Sequence, residues 1–528
     1  MVPGRSQSSS ASARTPSYKR LRLIALAPVL ALIALSAWAF ASPMGSSPDD
    51  DYHLVSIWCS TGDDAYCQPG SVEKSRFVPE AVLESPCYAF YKDRSAECQT
   101  QLDFTTDELV ETSRGNFVGA YPPLYYSAMS VFVGDNILLS VMLMRLFNIL
   151  LFVGITTALY VLLPAERRPA LVWGWLITTM PLGLFLIASN NPSGWAIAGV
   201  GTAWLALLGF YETRTRGKTI ALGALFTLAV FMAAGSRGDS ALYVAGAIGI
   251  VGVLAFERSR RFVVRSALPA AMLAVSAVFF SMSRQVSSGI TGFGGGSRAQ
   301  ATGTQAADTI DNLAGFGLLA YNLLNVPSLW VGAFGGWALG WIDTSMPAVV
   351  MVLALAVFIG VGFTGLGALN GRKAFAVAGV GFVLWALPTY VLTSGGDKVG
   401  EQVQPRYILP LIVLLGGLLV LQAGRKRLTL GRVQSLAVVV ALSGANLVAL
   451  HMNIRRYVTG NDVPGWNLNA GAEWFWAGAP APMVIWAAGS AAFAGLVFVL
   501  VREMSISAAL TPEIDLDLDL KTTLSASR

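Results

Sequence analysis

The stretch Arg22–His53, "RLIALAPVLALIALSAWAFASPMGSSPDDDYH", decides what kind of protein this is. Residues 23–41 form an apolar run about as long as the ~20 residues that cross the hydrocarbon core of a bilayer. A few residues beyond it stand three adjacent aspartates, Asp49, Asp50 and Asp51, followed by His53. Similar apolar runs recur to the far end of the chain. With 54% hydrophobic and 13% charged residues and a mean hydropathy of +0.58, 528 residues carry too little polar surface to coat a soluble globule. The sequence predicts an all-α polytopic membrane protein.

Apolar runs at 23–41, 139–163, 169–188, 194–210, 219–235, 240–256, 263–282, 346–368, 374–394, 407–423, 432–452 and 482–501 give about twelve candidate spans. Arg5, Arg14, Lys19, Arg20 and Arg22 precede the first and place the N-terminus in the cytoplasm. Ala39-Phe40-Ala41 resembles a signal-peptide cleavage site, but the run is long for a signal and predicts a retained anchor. Threading onward puts the basic clusters at 214–218, 258–261, 372–373 and 425–427 inside, as positive-inside marking and not as a nucleic-acid stripe. Arg455 and Arg456 land outside, against the rule. The map also requires that "YPPLYYSAMSVFVG", 121–134, does not cross; it reads as an outer interfacial helix with Tyr121, Tyr125 and Tyr126 in the headgroup belt. The Gly-, Pro- and Trp-rich segment 313–341 is assigned to the outer surface too.

The expected organisation is a disordered basic cytoplasmic N-terminus (1–22), a first span (23–41), an exterior loop (42–138), spans (139–282), a second exterior loop (283–345), further spans (346–501) and a disordered cytoplasmic tail (502–528). All four cysteines, Cys59, Cys67, Cys87 and Cys98, fall in the first exterior loop, which predicts two disulfides in an oxidising compartment, with three pairings open. A zinc site is the competing reading, but no C-x-x-C pair supports it. Gly292–Gly296, "GFGGG", lacks the Lys and Ser/Thr of a phosphate loop.

Three clustered carboxylates beside a membrane suit general-base work, or metal coordination through Asp50 and Asp51. They equally suit the N-terminus of a helix beginning near Tyr52. Arg145 lies within a predicted span with Asn148 one turn later, where an arginine usually faces a polar cavity or a partner. Snorkelling from a place near the outer end is its ordinary alternative. Asn190, Asn191, Arg237, Asp239, Asp343, Gln404 and Arg406 gather at outer span ends or in exterior loops. Exterior Arg237 and Arg406 oppose the positive-inside rule, and a bound anion accounts for them; pairing of Arg237 with Asp239 is the structural alternative.

Together these motifs resemble the multi-pass GT-C superfamily of polyprenyl-phosphate-sugar-dependent glycosyltransferases and, more narrowly, the bacterial family called domain of unknown function 2142, over roughly residues 20 to 505. The family's Pro-Asp-Glu-x-x-His stands as Pro48 to His53, its Pro-Pro-Leu-Tyr-Tyr as Pro122 to Tyr126 and its Arg-x-x-Asn as Arg145 to Asn148. Gly340-Trp341-Ile342-Asp343 and Gln404-Pro405-Arg406-Tyr407-Ile408-Leu409-Pro410 complete the set. Asp50 replaces the family's glutamate, and the four-cysteine loop departs from the general pattern, reading as the mark of an actinobacterial subgroup.

The resemblance implies a cell-envelope glycosyltransferase at the outer face of the cytoplasmic membrane, taking a polyprenyl-phosphate sugar and a glycan or lipid acceptor. Asp49 or Asp50 is then the base, with His53 orienting it or helping to hold a divalent ion. Arg406 leads the donor-binding set, with Arg145, Arg237, Tyr125, Asp343 and Gln404. A transporter or lipid-linked-sugar flippase and a non-enzymatic assembly partner are the rival functions. No internal repeat is evident, and the spans are poor in ionisable groups, which speaks against transport.

Overall fold

The structure, a computed structural model, describes residues 23–62, 65–283, 315–423 and 428–509. The basic N-terminal residues, Gly292–Gly296, the cluster at 425–427 and most of the tail lie outside the described residues.

A helix or helix pair stands at every predicted span. In chain order the helices are α1 (Ala27–Phe40), α2 (Asp50–Trp58), α3 (Glu80–Glu84), α4 (Leu124–Met129), α5 (Ile137–Leu162), α6 (Arg168–Leu176) and α7 (Leu182–Ile187). They continue with α8 (Pro192–Glu212), α9 (Arg216–Ser236), α10 (Gly238–Leu254), α11 (Arg260–Arg265), α12 (Ala267–Met282), α13 (Phe316–Asn325) and α14 (Pro327–Val331). The last are α15 (Ala348–Leu366), α16 (Gly371–Gly395), α17 (Pro405–Val420), α18 (Arg432–Val458) and α19 (Pro482–Ala509). Among the described residues eight helices, counting α11 with α12 as one, are long and apolar enough to cross a membrane. Helices α1, α10 and α17 are apolar but shorter. The predicted span at 169–188 is divided at Pro181, which cannot donate a helical N–H, into α6 and α7.

Side chains that the sequence puts just ahead of helices start them. Asn136, Asn191 and Asn370 each accept a hydrogen bond at 2.9 Å from the first turn of α5, α8 and α16, a cap worth ~0.5–2 kcal/mol. Helix α8 is buried along its hydrophobic length among α9, α10 and α17, while α1 packs on α19 and α5.

The architecture is helical as expected, and the segment between α1 and α5 adds a small sheet to it. Strands β1 (Gln68–Pro69), β2 (Arg76–Pro79) and β3 (Leu109–Thr112) form a small antiparallel sheet in the order β1-β2-β3. The cysteines pair as Cys59–Cys67 and Cys87–Cys98, so of the three possible pairings the one with two local bridges forms. Non-reducing peptide mass spectrometry should recover both linked pairs; four alkylatable thiols in the native protein would contradict them.

The 121–134 run forms only α4 and a following single turn, too short to cross. Its tyrosines are not a headgroup belt, however. Tyr121, Tyr125 and Tyr126 are buried, because they close around His53 and Trp195. Arg455 and Arg456, the exceptions to the charge map, have partners of their own. Arg455 donates to Gly465 O at 2.7 Å and Asn467 O at 3.1 Å, and Arg456 pairs with Asp343 at 2.7 Å.

The positive-inside reading of orientation yields an expected result. A cysteine at exposed Lys74, in the sheet-bearing segment, should react with an impermeant reagent from outside, and one at exposed Lys218, before the apolar part of α9, should not. The opposite pattern would invert the map.

Candidate functional site

The last turn of α1 and the eight residues between it and Asp49 have carbonyls that no regular structure pairs, so these need donors. Those donors come from distant parts of the chain. Arg145, inside α5, donates to Ala39 O (2.9 Å), Ser42 O (2.6 Å) and Pro43 O (2.7 Å). Asn453 reaches Ala41 O at 3.0 Å, while Tyr88 and Gln99 reach Met44 O at 2.8 and 2.7 Å. Trp341 Nε1 donates to Gly45 O at 2.8 Å, and Asn191 and Arg406 donate to Pro48 O at 2.9 and 3.1 Å. The acidic motif thus sits at the end of a backbone pinned along its length.

Asp49 precedes α2 in the N-cap position but does not cap it, and its φ of 62° is left-handed. Its side chain turns to two arginines instead. Oδ2 accepts from Arg406 Nη2 at 2.6 Å and Oδ1 from Arg114 Nη2 at 3.2 Å, while 30% of the side chain stays accessible. Burial disfavours the charged form, but Arg406 and Arg114 outweigh it and hold the Asp49 carboxyl at about 2. Arg406 also donates to the Tyr407 hydroxyl at 2.9 Å, and its buried Nε has no partner among the described residues. The Tyr407 ring lies under the Arg406 guanidinium at 4.9 Å and under that of Arg237 at 4.6 Å.

Asp50 and Asp51 turn elsewhere. Asp51 accepts from Arg114 through both oxygens. Asp50 has no exposed surface and accepts from the Ser47 amide at 3.2 Å. Burial pushes its carboxyl up to about 6, against the pull of Arg145. Among the described residues no three His, Cys, Asp or Glu side chains converge as ligands. His53 is buried against Tyr52, Tyr121 and Tyr126, its Nδ1 3.0 Å from the Tyr126 hydroxyl. Burial brings the imidazole down to about 3, leaving it neutral at pH 7.

The folded-state value for Asp50 lies above the ordinary 3.8, so its contribution to stability is fully present below 3.8 and is lost as pH rises through about 6. Asp50→Asn should therefore gain on the wild type at pH 7 and lose that advantage towards pH 4. Thermal unfolding of both proteins across this range measures the gap; a gap that widened on acidification would contradict it.

The other candidates divide. Arg237 joins the Asp49 cluster through Tyr407 and Tyr121 but is held by a buried bidentate pair with Asp239 (3.0 and 2.7 Å). Gln404 and Arg406 line one small cavity together with Pro48 and Ile342. Arg145 donates to carbonyls through Nη1 and Nη2, its buried Nε having no partner among the described residues, and Asn148 is held by Ser189 O and Trp195. Tyr125 is buried beside Trp195. Asp343 lies outside the cluster, paired with Arg456. The sequence reading missed Arg114, Arg456 and Asn453. Arg114 is one of several basic residues in an acidic loop and carries no distinguishing signal; Arg456 was marked only by its exterior position.

No curated protein matches the sequence. A crystal structure described as ArnT from Cupriavidus metallidurans bound to undecaprenyl phosphate is similar over 94% of this chain and 79% of that one, at 14% identity and a TM-score of 0.39. The family described as a predicted membrane protein, DUF2142, matches residues 32–415, most of the chain, and the protein belongs to it.

Proposed function

We propose that this protein is an inverting membrane glycosyltransferase that takes a sugar from a polyprenyl phosphate on the outer face of the cytoplasmic membrane, with both termini in the cytoplasm. The observation that carries the reading is the accessible Asp49 carboxylate on a buried arginine that keeps a spare donor. That arrangement offers a base and an anion site side by side, as the motif resemblance implies. Asp50, without exposed surface, cannot meet an acceptor, so the base is Asp49 and Asp50 is a positioning residue.

Held at about 2, Asp49 is too weak a base while Arg406 grips it. A donor phosphate arriving at Arg406 draws the guanidinium away and adds negative charge nearby, and both effects raise the proton affinity of Asp49. The acceptor hydroxyl then loses its proton to Asp49 as its oxygen bonds to the anomeric carbon. The bond from that carbon to the phosphate oxygen breaks, its electron pair leaves on the polyprenyl phosphate, and Arg406 stabilises the charge. Arg114 keeps Asp49 oriented throughout.

Reconstituted protein supplied with labelled polyprenyl-phosphate sugars and cell-envelope acceptors tests the reading. Arg406→Ala should weaken donor binding by about 10–100-fold, the loss of a charge-assisted contact worth ~1.5–3 kcal/mol. Unchanged donor binding in that variant would remove the phosphate from this site.

A further inference from the structure

Among the described residues only three that are not glycine have φ in the left-handed region: Asp49 at 62°, Phe90 at 67° and Ile342 at 61°. Bulky and β-branched side chains rarely adopt it, and such conformations persist where the surroundings impose them, commonly at functional sites. Asp49 has been accounted for. The other two are far apart in sequence, yet both lie beside Asp343, one through a hydrogen bond to its carboxylate and the other as its chain neighbour.

Asp343 Oδ2 accepts the Phe90 N–H at 3.2 Å, and Ile342 is its neighbour in a tight turn closed by Leu339 and Thr344. Gly340 in that turn has no room for a Cβ, which would lie 2.8 Å from the Tyr457 hydroxyl and 3.1 Å from Asp343 Oδ1. The buried Arg456 fixes Asp343 in turn. What this framework holds out is apolar: Phe90 is 72% exposed and Ile342 is 49% exposed. The Phe90 ring meets Trp341 edge to face at 5.3 Å, and Trp341 is tied to Gly45 O, four residues before Asp49. Ile342 lines the same cavity as Arg406 and Pro48.

We infer that Phe90, backed by Trp341 and rimmed by Ile342, is a stacking platform for a pyranose ring of the acceptor, beside the Asp49 and Arg406 site. This rests on the glycosyl-transfer reading. A pyranose offers an apolar C–H face for an aromatic ring and a rim of hydroxyls that need polar partners. The surroundings match that dual character: exposed Lys92, Asp93 and Arg94 follow Phe90, and Gln404 lines the adjoining cavity.

Full-length protein in nanodiscs, titrated with hexasaccharides of glucose, mannose and galactose, tests the platform by calorimetry. At least one should bind, and Phe90→Ala should weaken it about tenfold, the order expected for an aromatic contact. Phe90→Tyr should bind like the wild type, as should Val131→Ala, which trims another exposed apolar residue. Binding by none of the three, or equal binding by Phe90→Ala, overturns the inference. Failure of the two readings is separable. Phe90-dependent binding without any sugar transfer would leave the platform and remove the transferase. Transfer that needs Asp49 but ignores Phe90, in rate and in acceptor KM, would do the reverse.

Discussion

Asp49→Asn is expected to lower sugar transfer by about 10²–10⁴-fold, the usual contribution of a positioned general base, while donor binding stays near the wild-type level. The substitution isolates the base unusually well. Asparagine tolerates the left-handed backbone that Asp49 adopts, and its amide oxygen still accepts from Arg406 or Arg114. What it lacks is the ability to take up a proton. Initial rates with a labelled donor, set beside direct donor binding, give the comparison. Asp50→Asn should cost less, because that carboxylate acts on the loop and not on substrate. Full transfer in the double Asp49→Asn, Asp50→Asn variant would remove catalysis from the acidic motif altogether.

Why the aspartates stand together is clear only from their partners. In sequence they offered a metal ligand set, a base or a helix cap. In the structure Asp49 turns to Arg406 and Arg114, Asp50 to the Ser47 amide and Asp51 to Arg114. Three neighbouring carboxylates can coexist because cations or burial handle each separately.

The spans were legible because the requirement for ~20 apolar residues is a property of composition. The sheet was not, since strands of two to four residues leave almost no period-2 pattern. The candidate site divides along the same line. Arg145 stood out because charge within a span is costly, and Arg237 and Arg406 because exterior arginines oppose the positive-inside rule, yet sequence reports the exception and not what offsets it. Arg145 is held by backbone carbonyls, Arg237 by the Asp239 two residues away, and Arg406 by an aspartate more than 350 positions earlier. Only the second pairing was local enough to be weighed from the sequence. Asp343 and Arg456 were each noticed, one as a substrate ligand and the other as a topological exception. Nothing in one sequence links positions 113 apart.

Asp343→Asn is expected to destabilise the folded protein by ~3–5 kcal/mol, because it leaves the Arg456 guanidinium buried without its counter-charge. Arg456 has no exposed surface; apart from Asp343 it bonds only the carbonyls of Tyr88 and Arg94. Arg456→Met should cost a similar amount by stranding the Asp343 charge. The double variant Asp343→Asn, Arg456→Met should recover a large part of the loss, since neither charge then remains to be compensated; a double-mutant cycle on unfolding midpoints in detergent reads the coupling. The consequence should also be local. Asp343 accepts the Phe90 N–H, so either single variant should speed proteolysis within exposed residues 90–94 ahead of global unfolding. Single variants within about 1 kcal/mol of the wild type would show that the turn at Gly340 and the Cys87–Cys98 loop hold their shape without the pair. The strained Phe90 and Ile342 would then owe their conformations to something other than Asp343.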